Sequence, residues 1–374
     1  MVLGKTHTSA LNDIPPSNRK AVVKTPDPET IKSILVIRLR AFGDTLLTTP
    51  TLRGLKRAYP NAKLSIVLEP AMAQVVKGLP YLDEVIPFDR LGPKKKGKLA
   101  ELKATLAFWR LLRTRKFDLV VDVLGTPRTA AMALATGAPV RVGFAFRVRR
   151  WAYTRVHHPS KERKYIADYT ADALRALGVE PDSLDLDFVV GPQAQASVDA
   201  WLRDEGLAMG PRPLMVQGAG GWELKRYPLE LMGQAVRQAS QSSGRPAVLL
   251  WGPGEEAMTR ELAAFAGPCA RLAPPTDFEG MGALLKRGAC LLTNDNATKH
   301  LAVACGCPTV TVFGPTSDIA WHPGGNARHI SVKLALDCMP CEALTCWRGD
   351  HACLRQLAPA RVAEAVRGLV QGAP

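Results

Sequence analysis

The chain has 374 residues, 47% of them hydrophobic, and a formal net charge of +15. That length exceeds what one compact core usually holds, so two domains are expected, and the apolar fraction excludes a disordered chain. Residues 1–32 carry scattered Pro, Lys and polar residues, read as a flexible extension, and fit neither a signal peptide nor an anchor. No later stretch approaches the run of about 20 apolar residues of a membrane helix. A soluble cytoplasmic protein with reduced thiols is the expectation.

From residue 33 the pattern alternates between short apolar runs and helical stretches. Ile34–Arg38, Leu64–Leu68, Glu84–Phe88, Asp118–Asp122 and Val140–Gly143 have strand length, with helices over Thr45–Tyr59 and Leu99–Arg115. Buried strands interleaved with helices predict a doubly wound parallel sheet. Pro, Asp and Gly gather over Gly178–Gln193, which suits a linker, and the alternation then restarts. Strands are expected at Leu214–Gln217, Ala247–Trp251, Cys290–Thr293 and Thr309–Phe313. Helices are expected at Leu229–Ser243, Glu255–Phe265, Phe278–Arg287, Thr298–Cys305 and Pro359–Val370. The predicted organisation is two Rossmann-like α/β domains, 33–190 and 191–374, with ligands at the carboxyl ends of strands in a cleft between them.

Three loops of the second half follow such strand ends. Gly218-Ala-Gly-Gly221 leads to Lys225-Arg-Tyr-Pro228, where glycine permits close backbone approach and the lysine offers a point charge for phosphate. In Gly252-Pro-Gly-Glu255-Glu256 a carboxylate could receive ribose hydroxyls or simply complement the helix dipole. In Asp295-Asn-Ala-Thr298 the first turn of a helix exposes N–H groups to an anion, with an ordinary N-cap as the plain alternative. Together they describe a nucleotide pocket. In the first half, Arg38-Leu-Arg40-Ala-Phe-Gly43-Asp44 again follows a strand. Asp44 is either the N-cap of the next helix or a general base facing the pocket. His300 is either a satisfied structural histidine or a ligand contact.

Taken in order, the Asp44 segment, Lys225-Arg-Tyr-Pro and the block from Asp295 to Pro315 resemble the bacterial lipopolysaccharide heptosyltransferases, glycosyltransferase family nine. The resemblance runs from Ile34 to the C-terminus. It implies a GT-B fold, a nucleotide-sugar donor such as ADP-heptose held by the C-terminal domain, an acceptor held by the N-terminal domain, and inversion without a catalytic metal. By the same resemblance Asp44 matches the catalytic base and Lys225 the diphosphate lysine. Asp295, Asn296, Ala297 and His300 match the donor loop, with Thr298 a donor contact from its place in the helix's first turn, and Glu255 or Glu256 falls near the nucleotide-binding glutamate. Asn296-Ala297 stands where the family usually has a small hydroxyl residue and glycine, and Lys299 precedes the histidine.

The charge is uneven. Residues 1–190 hold 32 Lys and Arg against 18 Asp and Glu, whereas residues 191–374 hold 17 against 16. The basic excess suits an anionic partner, whether nucleic acid, an acidic membrane surface or a phosphorylated or carboxylated glycolipid, with a solvated face as the plain alternative; the resemblance implies a glycolipid acceptor of the lipopolysaccharide inner core and peripheral contact with the inner-membrane face. Arg38, Arg40, Lys94, Lys95, Lys96, Arg147, Arg149 and Arg150 are the candidate acceptor contacts. Nucleic acid is not expected, because no stacking-aromatic RNA motif accompanies them. Cys338, Cys341, Cys346 and Cys353, in the segment 338–353, have a spacing that could close a structural zinc or iron site or leave free thiols. The leading expectation is heptose transfer from ADP-heptose to the inner core. A protein or other glycan acceptor, another nucleotide sugar, or a non-catalytic protein binding an anionic partner are the alternatives.

Overall fold

The computed structural model describes residues 25–89, 97–144, 150–157 and 162–372. Lys94, Lys95, Lys96, Arg147 and Arg149 lie outside the described residues, as does the extension through residue 24. Contacts divide the chain between Leu186 and Asp187, inside the expected linker. The first unit begins earlier than residue 33. Ile31 is buried, and the Lys32 N–H donates to Asp118 Oδ2 at 2.9 Å.

The first unit holds a six-stranded parallel sheet, ordered β3-β2-β1-β4-β5-β6 among the described residues. Its strands are β1 Ser33–Ile37, β2 Lys63–Leu68, β3 Glu84–Pro87, β4 Leu119–Asp122, β5 Val140–Phe144 and β6 Arg155–His157. Its helices are α1 Phe42–Leu46, α2 Thr49–Ala58, α3 Ala73–Val76, α4 Lys98–Thr114, α5 Pro127–Thr136 and α6 Ile166–Arg175. Successive strand residues point to opposite faces, and both faces are covered. Ile34, Val36, Ile66 and Val121 pack with Leu52, Leu55 and Leu174, while Leu35, Ile37 and Val120 pack with Leu112 and Ala133. Burial on both sides is why β1 reads as an unbroken apolar run.

The helix expected over Thr45–Tyr59 is two helices, α1 and α2. Pro50 has no N–H to give the carbonyl of Leu46, and the Thr49 hydroxyl takes that carbonyl instead at 2.7 Å. Helix α4 is shallow: Leu112 is its one buried residue, and Leu99, Leu102 and Leu106 remain exposed.

The second unit repeats the plan, with order β12-β11-β10-β7-β8-β9 and all pairings parallel. Its strands are β7 Leu214–Gln217, β8 Ala247–Leu249, β9 Ala270–Leu272, β10 Cys290–Asn294, β11 Thr309–Val312 and β12 His329–Val332. Its helices are α7 Pro192–Asp204, α8 Leu229–Ser243, α9 Glu256–Ala266, α10 Phe278–Arg287, α11 Ala297–Ala304, α12 Asp318–Trp321, α13 Ala352–Arg355 and α14 Pro359–Gln371. Val216, Leu249, Leu292 and Val310 meet Met232, Val236, Leu262 and Val366 in its core.

In both sheets the strand order reverses between the first and fourth strands in sequence, β1 beside β4 and β7 beside β10. Adjacent loops leave in opposite directions at such a point, opening a crevice at the carboxyl edge. Arg38 to Asp44 follow β1, and the Lys225 and Asp295 segments follow β7 and β10.

Candidate functional site

At the edge of the second sheet the strand ends are tied together by amide side chains. Asn294, the last residue of β10, donates from Nδ2 to Gly218 O at 2.7 Å and accepts the Tyr227 N–H at 3.1 Å. It therefore fixes both ends of the loop that carries Lys225. Asn296 caps α11, taking the Lys299 N–H at 3.0 Å, while its Nδ2 lies within 3.0 Å of Gln217 Oε1, Ala219 O and Thr293 Oγ1. These bonds make Asn296 a brace of the loop. Gln217 in turn donates to Glu255 Oε2 at 3.1 Å, and Glu255 also accepts the Gly252 N–H at 2.8 Å. The two glutamates are thus distinguished: Glu255 joins the network, whereas the partly exposed Glu256 pairs with Arg260 at 2.6 Å.

Asp295 sits at the centre. Its carboxylate is 3% exposed and lies between two ammonium groups, Lys225 Nζ at 2.7 Å from Oδ2 and Lys299 Nζ at 2.5 Å from Oδ1. Thr316, beyond the end of β11, donates to Oδ2 at 2.9 Å. Burial alone would raise the Asp295 carboxyl, but the charges of Lys299 and then Lys225 outweigh it and hold the group below the usual carboxylate range. Burial lowers the Lys299 ammonium despite Asp295. Lys225, on the short helical turn Glu223–Lys225, rests 4.1 Å from the centre of the Trp222 ring. One carboxylate between two cations leaves the cluster a formal charge of +1, suited to an anion.

Ala297 and Thr298 open α11, where the first N–H groups of a helix lack intrahelical partners. His300 on the same helix is buried 6.1 Å from the Trp321 ring, with Nδ1 unpartnered among the described residues. Burial, reinforced by Lys299, lowers its pKa well below the ordinary histidine value, so the ring is neutral. Lys299 was noted in the sequence only as a departure. Gln217 and Asn294, which end β7 and β10, and Thr316, beyond the end of β11, carry no signal in the sequence except that position.

In the first unit Asp44 is not an N-cap. Helix α1 starts at Phe42 after Ala41, so Asp44 lies inside its first turn. Its Oδ2 is 2.8 Å from Arg38 Nη2. Arg38 is buried and engaged there, Arg40 is exposed, and Arg150 is exposed at the start of a short turn.

Cys338, Cys341, Cys346 and Cys353 are free thiols lining one small cavity with His351. Burial first, then the neighbouring thiols, push the Cys353 thiol up to about 11. Among the described residues no group of three or more His, Cys, Asp or Glu side chains is arranged to hold a metal ion. The segment also braces the site loops. His351 Nε2 is 2.9 Å from Leu224 O, beside Lys225. The Glu342 N–H donates to Pro315 O at 2.9 Å, and Glu342 Oε1 accepts the Ser317 N–H at 3.1 Å.

The sequence model of glycosyltransferase family 9 (heptosyltransferase) matches residues 105–351. Lipopolysaccharide heptosyltransferase 3 of Escherichia coli (strain K12) is 25% identical over 296 residues, spanning 76% of this chain and 83% of that protein. The crystal structure of a family 9 glycosyl transferase from Veillonella parvula DSM 2008 superposes with a TM-score of 0.77 at 22% identity, covering 91% of this chain and 98% of that one. E. coli ADP-heptose lps heptosyltransferase II gives 0.71 at 20% identity, covering 91% and 99%. These likenesses give the fold as a two-domain, GT-B-like architecture. With two switch-point sheets and a family match over most of its length, the chain belongs to glycosyltransferase family 9.

Proposed function

We propose that the chain is an inverting glycosyltransferase that moves a heptose from ADP-heptose to an anionic acceptor of the lipopolysaccharide inner core, without a catalytic metal. The observation that carries this reading is the cationic cluster around Asp295, set at the switch point of the second sheet with a net formal charge of +1. Two relatives whose names specify lipopolysaccharide heptosyl transfer support the donor and acceptor classes. In the proposed reaction Asp44 accepts the proton of an acceptor hydroxyl while that oxygen bonds to the anomeric carbon. The bond from the anomeric carbon to the diphosphate oxygen breaks on the opposite side, and its electron pair leaves with ADP. Lys225 and the first-turn N–H groups of α11 receive the growing negative charge, the task a divalent cation performs elsewhere.

The basic excess of the first half supports an anionic acceptor. Helix α4 supports contact with the membrane that holds it. Its outward side presents Leu99, Leu102 and Leu106 beside Lys103, Arg110 and Arg113, all exposed, an apolar and basic combination that suits an anionic lipid surface. Among the described residues no helix is long and apolar enough to cross a membrane.

A binding screen of ADP-heptose against UDP- and GDP-sugars, followed by product analysis with inner-core acceptors, tests the reading. Selective binding of ADP-heptose and a product of inverted anomeric configuration are expected. Preference for a UDP- or GDP-sugar would overturn the donor, and transfer only to a protein or an unrelated glycan would overturn the acceptor.

A further inference from the structure

Lys299 has no route to a ligand. Its side chain is fully buried, and its ammonium donates to Asp295 Oδ1 at 2.5 Å and to Trp321 O at 2.6 Å. Lys225 holds the other carboxylate oxygen, but its side chain retains 11% exposure and stands on a short turn beside the Gly218 loop. The two lysines therefore share a counter-ion from opposite sides, one sealed and one facing outward.

The difference matters when a diphosphate arrives. If Lys225 were the sole partner of a buried carboxylate, its ammonium could turn to phosphate only by leaving an uncompensated charge in the interior, which is strongly unfavourable. With Lys299 and the Thr316 hydroxyl in place, Asp295 stays paired when Lys225 departs. We propose that Lys299 is a positioning residue whose buried charge balances Asp295 and so makes Lys225 exchangeable between that carboxylate and the donor diphosphate. This rests on the reading of Lys225 as the diphosphate lysine. Spacing supports it as well: Lys299 lies in the first turn of α11, four residues after Asp295, and its N–H bond to the Asn296 cap at 3.0 Å ties that turn to the residue beside Asp295. The bond to the Trp321 carbonyl anchors the same ammonium against rotation toward the ligand.

The test is calorimetric titration of the full chain with ADP, which lacks the sugar and so reports the diphosphate contact. The variants are Lys225→Ala, Lys299→Met and the double variant Lys299→Met/Asp295→Asn, each with a thermal melt. Lys225→Ala is expected to weaken ADP. Lys299→Met is expected to raise the dissociation constant on the order of ten- to a hundredfold, because Lys225 becomes the only counter-ion of a buried carboxylate. The double variant, whose Asn carries no charge to hold Lys225, is expected to return within a few-fold of the wild type. A merely structural Lys299 predicts no such rescue, since the Trp321 carbonyl loses the same donor in both Met variants. The proposal is overturned if Lys299→Met binds ADP as the wild type does, or if the double variant stays as weak as Lys299→Met. Should Lys299→Met fail to fold, the double variant decides: ADP affinity near that of the wild type supports the proposal, and lost affinity in a folded protein overturns it. Unchanged affinity in Lys225→Ala would sink the diphosphate reading itself, an outcome distinct from failure at Lys299 alone.

Discussion

Arg38 and Asp44 form an ion pair of 2.8 Å in which the arginine is 6% exposed and the carboxylate 31%. The cation grips the carboxylate from the interior and leaves it open to solvent, the arrangement a general base needs if it is to be held still and still reach a substrate. Asp44→Asn should lower kcat by roughly two to four orders of magnitude with donor affinity and melting temperature nearly unchanged. Arg38→Gln, which loosens the grip, should cost about tenfold in kcat. Steady-state kinetics on both variants check this, and near-wild-type turnover in Asp44→Asn removes Asp44 from the mechanism.

Lys225→Ala should raise the donor KM and lower kcat together, because in the proposed reaction the lysine meets a diphosphate whose charge grows as the bond breaks. Turnover should persist in EDTA. Strict dependence on added magnesium would assign that charge stabilisation to an ion instead.

The bond from His351 to Leu224 O holds the turn that presents Lys225. His351→Ala should therefore raise the donor KM by several-fold while kcat changes little, since the lysine itself remains. Parallel losses in KM, kcat and melting temperature would point to a general destabilisation of the second unit.

Replacing Leu99, Leu102 and Leu106 of α4 by Ser should abolish sedimentation with phosphatidylglycerol vesicles and leave turnover on a soluble, delipidated acceptor intact. Replacing Lys103 and Arg110 by Gln should flatten the salt dependence of vesicle binding. Undiminished vesicle binding in the Ser variant would place the membrane contact elsewhere.

Asp172 in the first unit is 4% exposed and pairs with Lys164 at 2.6 Å, Arg175 at 2.7 Å and His157 at 3.0 Å. Burial alone would raise it, but the close approach and charge of His157 and the bond from Lys164 bring its carboxyl down to about 2. A depressed carboxyl contributes stability that is complete above its unfolded value and is lost as pH falls through the folded one. Asp172→Asn should thus cost about 2 kcal/mol at neutral pH, a deficit that closes between about pH 4 and pH 2. Urea melts across that range measure it, and a deficit independent of pH would contradict the assignment.

The sheets were legible because fully buried parallel strands leave continuous apolar runs, and Leu214–Gln217 and Phe278–Arg287 stand where the pattern places them. Strands β6 and β9, three residues each at sheet edges, have too few buried positions to leave such a run. The break between α1 and α2 depends on one missing N–H at Pro50, which helical periodicity does not register. At the site, residue type pointed to Lys225 and Asp295, but the pattern could not show that Asn296 is engaged by the loop or that Lys299 completes the charge pair. The first arises from contacts with Gln217 and Ala219 at the end of β7, and the second from burial beside the Trp321 carbonyl, neither of which the local pattern displays.

The contacts that assemble the cluster span long stretches of chain: 70 residues separate Lys225 from Asp295, 76 separate Gly218 from Asn294, and 79 separate Gln217 from Asn296. Each requires β7 and β10 to have paired, and closing loops of that length is entropically late in folding. Occupancy by the proposed nucleotide would consequently report on the integrity of the whole second unit. A variant far from the pocket that weakens the β7–β10 register would show itself first as lost ligand protection against proteolysis, before any loss of helical signal.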